Sequence, residues 1–201
     1  MGNPLVAIVG RPNVGKSSLF NRLLGSPIAV VSELAGTTRD RISAETILGE
    51  YPMVLVDTGG LEPFPGSPLE EQVQAQVEIA IQDADCIVFV TDVMNGYTPA
   101  DAEIAQRLRR AEKPVVVVVN KVDNNRRAQG VVEFFQLGLD DPIPISAYHG
   151  AGIDELVAAL QKTLPKQAKS TEPQEEKVSL AIVGRTNVGK SALLNAILGN
   201  D

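Results

Sequence analysis

The sequence contains few of the residues on which many enzyme sites depend. Among 201 residues it has one cysteine, one histidine and no tryptophan, and only 4% are aromatic. A single cysteine, Cys86, excludes an intramolecular disulfide and suits a reducing compartment, and its place in an apolar run indicates a buried core residue. His149 alone leaves almost nothing for a His-based metal site or a Ser-His-Asp triad. Enzymes that depend on a His-based metal site or on a Ser-His-Asp triad are thereby excluded.

Long apolar runs and excess positive charge are also missing. No stretch approaches the roughly 18 to 20 apolar residues of a membrane span, and the N-terminus lacks a basic region followed by a long apolar segment. We therefore expect a soluble, cytoplasmic protein with no membrane partner. The formal net charge of -7 argues against a broad basic surface that wraps nucleic acid, while 44% hydrophobic residues suffice for a core.

A glycine-rich motif between an apolar run and an amphipathic run is the most informative feature that is present. Its spacing is G-x-x-x-x-G-K-[ST], the phosphate-binding loop, in which main-chain N–H groups converge on phosphate oxygens. The lysine supplies charge to the β and γ phosphates, and the serine hydroxyl is a Mg²⁺ ligand. The predicted nucleotide-binding residues here are Gly10, Arg11, Pro12, Asn13, Val14, Gly15, Lys16, Ser17 and Ser18.

Alternating strand and helix patterns predict an α/β fold of the P-loop NTPase type: a six-stranded, mostly parallel sheet with helices on both faces. The predicted strands are residues 5–9, 42–48, 53–56, 86–91, 114–119 and 142–145. The predicted helices are residues 16–24, 69–82, 99–111, 127–136 and 152–164. Residues 26–41 show no sustained period and are predicted to be an irregular loop. Residues 115–119 are all valine, as expected of a central strand buried on both faces.

Two further motifs follow predicted strands. Asp57-Thr58-Gly59-Gly60 places a carboxylate at the strand end that faces the phosphate loop. Asn120-Lys121-Val122-Asp123 ends the valine strand. The Asp123 carboxylate is suited to accept two hydrogen bonds from the N1–H and 2-amino groups of guanine, a donor pair that adenine lacks. Asn120 would contact the opposite edge of the base and Lys121 would lie over it. Together the motifs predict a guanine-nucleotide site.

The opening of the chain is repeated near its end. Residues 7–25 and 181–199 are identical at 14 of 19 aligned positions. We therefore predict a first domain at 1–164, a flexible linker at 165–177 with two prolines, and the truncated start of a second domain of the same kind at 178–201. The second phosphate loop adds five predicted nucleotide-binding residues, Gly184, Asn187, Gly189, Lys190 and Ser191.

With these motifs in this order, the sequence resembles the translation-factor-related GTPases and, within them, the EngA (Der) family of tandem-domain GTPases. The resemblance covers residues 1–164 and includes Gly36-Thr37-Thr38-Arg39-Asp40 and Ser146-Ala147. It implies GTP hydrolysis and a role in assembly of the large ribosomal subunit. It also implies a complete second GTPase domain and a KH-like domain, both missing from this sequence.

The resemblance also implies roles for individual residues. Asp57 would hold Mg²⁺ through water, the Gly60 N–H would contact the γ-phosphate, and Thr38, or else Thr37, would complete the metal shell. Ser146 and Ala147 would support guanine recognition, with the Ala147 N–H reaching O6. Solvent-exposed roles are as plausible as catalytic ones for Arg11, Arg39 and Arg41, and Asp92 is interpreted as a turn or cap residue.

Leu61 occupies the position at which Ras-like GTPases carry the glutamine that orients the attacking water. An apolar side chain does not orient water, so another group must stabilise the transition state. Similar GTPases with asparagine at the position of Asn13 use it to bind K⁺ against the phosphates. The hypothesis is K⁺-stimulated hydrolysis in which Lys16, Asn13, Thr38 and Gly60 take part. The alternative is that Asn13 merely stabilises the turn of the loop.

Two other functions stay open. The domain is either a GTP-hydrolysing switch or a sensor of GTP and GDP that controls the second domain with little turnover, and Leu61 favours the sensor. A P-loop ATPase is the third possibility, against which Asp123 argues.

Overall fold

The computed structural model of the chain describes residues 3–25, 30–33, 42–49, 51–57, 78 and 80–164. The chain divides into two units, Met1–Lys166 and Gln167–Asp201, and every described residue lies in the first. The predicted domain limits at 164, 165–177 and 178–201 therefore stay predictions. Among the described residues, no helix is long and apolar enough to cross a bilayer.

One seven-stranded sheet forms the centre of this unit, in the order β2-β3-β4-β1-β5-β6-β7. The pairs β1–β4, β1–β5, β5–β6 and β6–β7 are parallel, and β2–β3 and β3–β4 are antiparallel. The strands are β1 (Leu5–Val9), β2 (Val30–Glu33), β3 (Ile42–Leu48), β4 (Tyr51–Asp57), β5 (Cys86–Asp92), β6 (Val115–Asn120) and β7 (Ile143–Pro144). The predicted mostly parallel α/β fold is confirmed.

All six predicted strands are present, and β2 is a seventh. The prediction of an irregular loop over 26–41 was wrong at Val30–Glu33, which pairs with β3 at the edge of the sheet. A four-residue edge strand carries too short an apolar pattern to show a period in the sequence. The structure describes no other part of that loop.

Helices cover both faces of the sheet. Those with bounds that lie wholly within the described residues are α1 (Lys16–Leu24), α2 (Pro99–Arg110), α3 (Asn125–Ala128), which continues directly into a 3₁₀ helix at Gln129–Leu137, and α4 (Ile153–Thr163). Helices α1 and α4 pack with one set of alternating strand residues, and α2 and the 3₁₀ helix pack with the other set. Strand β6 is buried along its whole length, as the valine run predicts.

One predicted helix has a different form in the structure, and another lies mostly outside the described residues. The helix predicted over 127–136 is mainly 3₁₀, and its buried residues Val131, Phe134 and Leu137 recur every three residues, which matches the 3₁₀ period. Most of the helix predicted over 69–82 lies outside the described residues, although residues 80–83 are helical.

Candidate nucleotide-binding site

The phosphate loop connects β1 to α1 at the carboxyl edge of the sheet. Gly10 and Gly15 have φ of +153° and +97°, values that favour glycine. A Cβ on Gly10 would lie 2.2 Å from the Val90 carbonyl oxygen, and one on Gly15 would lie 2.3 Å from Asn120 Nδ2. Both glycines are therefore required by backbone conformation and by close packing.

Lys16 lies over this loop. Its side chain is buried, and Nζ donates hydrogen bonds to the main-chain carbonyls of Gly10 and Arg11, both at 2.8 Å. Burial lowers the pKa of Lys16 to about 8, an effect opposed by the charge of Asp57 and increased by that of Arg11. An anion bound at the loop would favour the charged form of this amine.

The candidate Mg²⁺ ligands come from two neighbouring elements. Asp57 ends β4 opposite Ile8 of β1, is 3% exposed and interacts electrostatically with Lys16. Ser17 lies in the first turn of α1 and is exposed. These oxygens fit Mg²⁺, which usually takes one or two protein ligands and completes its shell with phosphates and water. Among the described residues, no group of three or more His, Cys, Asp or Glu forms a self-sufficient metal site.

Asn120 connects the two halves of the site. Its Nδ2 donates to the Val14 carbonyl of the phosphate loop at 2.9 Å, and its Oδ1 accepts from the Ala147 N–H at 3.0 Å. The side chain is buried. The Ala147 N–H, which is predicted to reach guanine O6, therefore already donates to Asn120, and O6 would have to share this donor with Asn120 Oδ1.

The Asp123 carboxylate accepts at both oxygens. Ser146 Oγ donates to Oδ1 at 2.7 Å, and Arg127 NH1 donates to Oδ2. Ser146 thereby orients the carboxylate, and its role in guanine recognition stays a prediction. Arg127 occupies the second oxygen that guanine is predicted to use, so base binding requires Arg127 to move or to share it. The sequence contains no motif that singles out Arg127.

Lys121 extends from the end of β6 to the phosphate loop. Its Nζ donates to the Asn13 carbonyl at 2.8 Å and to Asp92 Oδ2 at 2.7 Å. Asp92 Oδ1 accepts from the Met94 N–H at 2.8 Å, so the predicted turn role is correct but incomplete. The contact between Asp92 and Lys121 follows from strand position, because Asp92 ends β5 directly opposite Asn120 in the parallel register.

Arg11 is held by a buried partner. Its Nε donates to Asp101 Oδ1 at 2.7 Å, and the Asp101 side chain is fully buried. Asp101 also forms a capping box with Thr98 at the start of α2. This pair connects the phosphate loop to α2, so Arg11 has a structural partner that the sequence left undetermined.

The structure brings most of the predicted site residues of the first domain together at one edge of the sheet. These are residues 10–18, Asp57, Asn120, Lys121, Asp123, Ser146 and Ala147. Other predicted residues lie outside the described part of the chain: Thr37, Thr38, Arg39, Arg41, Gly60, Leu61, Gly184, Asn187, Gly189, Lys190 and Ser191.

Comparison with known proteins agrees with this geometry. The family described as "50S ribosome-binding GTPase" matches residues 5–121 and 179–201. The chain belongs to this GTPase family. It is 47% identical over 201 residues to GTPase Der of Ligilactobacillus salivarius, covering 100% of this chain and 45% of that protein. It is 49% identical over 195 residues to GTPase Der of Syntrophotalea carbinolica, covering 97% and 44%.

The predicted resemblance of this chain to the EngA (Der) family is thereby confirmed, and a solved structure supports the GTPase fold. Era, in complex with MgGDPNP and nucleotides 1506–1542 of 16S ribosomal RNA, superposes with a TM-score of 0.65 at 38% identity. The match covers 83% of this chain and 58% of that one. The chain spans about 45% of the length of the curated relatives it matches.

Proposed function

We propose that this chain binds GTP and GDP with Mg²⁺ and hydrolyses GTP as a conformational switch. The observation that carries the proposal is the position of Asn120, which joins the phosphate loop at Val14 to the turn at residues 146–150, here called the base loop, at Ala147. Phosphate binding and base recognition are thereby combined in one site. Tight binding of GDP and GTP, with weak binding of ADP and ATP, is the expected result in a calorimetric titration.

Guanine selectivity is attributed to Asp123. Asp123→Asn replaces an acceptor with a donor, so it should weaken GDP binding by more than tenfold. The same variant should gain affinity for xanthosine diphosphate, whose 2-oxo group accepts from the new amide. Unchanged GDP binding by this variant would favour the ATPase alternative.

Mg²⁺ binding is attributed to Ser17 and Asp57, with Thr38 as the proposed further ligand when GTP is bound. Asp57 is buried beside Lys16, so a metal ion there would place charge between the carboxylate and the phosphates. Ser17→Ala should weaken GTP binding in the presence of Mg²⁺ and change it little in EDTA. A loss of equal size under both conditions would contradict the assignment.

Potassium is proposed to stimulate hydrolysis through Asn13. The residue is exposed, and its φ of +64° is a left-handed conformation that asparagine and glycine tolerate. Asn13→Gly keeps this backbone conformation and removes the side-chain oxygen. If Asn13 holds K⁺, the variant loses the difference between hydrolysis in KCl and in NaCl. If Asn13 only stabilises the turn, the variant keeps it, and equal wild-type rates in both salts exclude K⁺ stimulation altogether.

The sensor remains the second candidate because Leu61 does not orient a water molecule. Single-turnover hydrolysis by this chain, with and without K⁺, separates the two functions. A rate no better than that in buffer, despite tight GTP binding, would favour the sensor. A rate increased by K⁺ would favour the switch.

A role in assembly of the large ribosomal subunit is proposed from family membership. Because the chain spans about 45% of the length of its curated relatives, the contribution of a second GTPase domain and a KH-like domain has to be tested by including a full-length GTPase Der relative. Co-sedimentation of this chain and of that relative with separated subunits, in GTP and in GDP, is the experiment. Binding to the small subunit alone would contradict the proposal.

A further inference from the structure

We propose that Arg22 is a positioning residue for guanine recognition, an inference that rests on the proposed nucleotide-binding function. Arg22 lies in the last turn of α1, the helix that follows the phosphate loop. Its Nε donates to the Ala147 carbonyl at 2.8 Å, and its NH2 donates to the Tyr148 carbonyl. One guanidinium thus connects two successive carbonyls of the base loop to the phosphate-loop helix, across 125 residues of sequence.

The loop that Arg22 contacts is a tight turn. The Gly150 N–H donates to the Ser146 carbonyl at 2.7 Å, and the His149 N–H donates to Ser146 Oγ at 3.2 Å. Both bonds join residues within the turn. The carbonyls of Ala147 and Tyr148 instead accept from Arg22, which supplies the fixed pair of donors that a guanidinium provides and a single ammonium does not.

The peptide groups on the two sides of Ala147 are therefore held by two different elements, one strand and one helix. Its N–H donates to Asn120 at the end of β6, and its carbonyl accepts from Arg22 on α1. Neighbouring Ser146 orients Asp123. Loss of the Arg22 bonds should release the loop that places these base-contacting groups, while the phosphate loop keeps its own bonds through Lys16.

Arg22 lies in the last turn of α1, whereas the phosphate loop leads into its first turn, so its role is separable from phosphate binding. A residue that merely stabilises the fold would change every ligand equally. A residue that positions the base loop would change the binding of nucleotides and leave a ligand without a base unaffected. Inorganic pyrophosphate is such a ligand.

The test compares Arg22→Ala, Arg22→Lys and the wild-type 201-residue chain for binding of GDP and pyrophosphate. Arg22→Ala should weaken GDP binding about tenfold, as expected for loss of charge-assisted hydrogen bonds, and change pyrophosphate binding less than twofold. Arg22→Lys, with one ammonium in place of the guanidinium, should have a GDP affinity between those of wild type and Arg22→Ala. If Arg22→Ala fails to fold, the Arg22→Lys ratio of GDP to pyrophosphate affinity still decides the question.

Arg109→Ala is the matched control. Arg109 also joins a helix to a main-chain carbonyl, that of Leu137, at a position on α2 outside the candidate site. It should leave the affinity of both ligands within twofold. Equal weakening of GDP and pyrophosphate by Arg22→Ala, or no more effect on GDP than Arg109→Ala has, would overturn the inference alone. Wild-type chain that binds no GDP would overturn the proposed function and the inference with it.

Discussion

Lys121 and Asp92 form an ion pair at the carboxyl ends of neighbouring strands, with 2.7 Å between Nζ and Oδ2. The carboxylate is nearly buried and the amine is partly exposed. The same amine donates to the Asn13 carbonyl, so the pair holds residues 120–123 against the phosphate loop. Lys121 itself has φ of +67°, a strained conformation for lysine that this ion pair supports.

Asp92→Asn should weaken GDP binding about tenfold, the size expected for loss of a charge-assisted bond. The variant keeps an oxygen for the Met94 N–H and removes only the charge that pairs with Lys121. Fluorescence titration with a labelled GDP measures the effect. Asp140→Asn, at an exposed position, is the control, and an equal loss there would contradict the role of the ion pair.

Gly15→Ala should abolish nucleotide binding and lower the free energy of unfolding by about 2 kcal/mol or more, since a side chain at positive φ adds strain to a steric clash. The added Cβ would lie 2.3 Å from Asn120 Nδ2. Urea denaturation and GDP titration check both effects. Gly25→Ala is the control because Gly25 has an ordinary φ of -61°, and it should bind GDP as the wild type does.

The buried amine of Lys16 should make stability depend on pH. Its pKa falls from 10.5 in the unfolded chain to about 8 in the folded chain. Between these values the unfolded chain holds a proton that the native chain has released, so the contribution of Lys16 to the free energy of unfolding rises with pH. The measurement is urea denaturation of wild type and Lys16→Met from pH 7.5 to 10.5. Wild type should gain stability relative to the variant across this window, and a constant difference would contradict the prediction.

The thiol of Cys86 should be inert in the folded chain. It is fully buried in β5, and burial raises its pKa to about 12. Since the thiolate is the reactive form, iodoacetamide at pH 8.5 should alkylate the native chain very slowly and the urea-unfolded chain rapidly. Mass spectrometry of timed samples measures the two rates. Rapid alkylation of the native chain would contradict the prediction and show that the core opens around Cys86.

Elements with strong local patterns are predictable from the sequence. The phosphate loop, the valine strand β6 and the amphipathic helices α1 and α2 are confirmed because their signals lie in consecutive residues. The edge strand β2, with four residues, and the 3₁₀ form of Gln129–Leu137 are not predictable in this way. In both cases pairing and packing with distant segments outweigh local propensity.

The phosphate loop, the Asn-Lys-x-Asp motif, the α/β class and the family can all be recognised from the sequence, since each depends on residue type and spacing along the chain. Three contacts depend on the fold instead: Asp92 with Lys121, Arg11 with Asp101, and Arg22 with the loop at Ala147. Their partners are distant along the chain. These partners are 29, 90 and 125 residues apart, and only the order of the strands in the sheet brings their polar groups within hydrogen-bonding range.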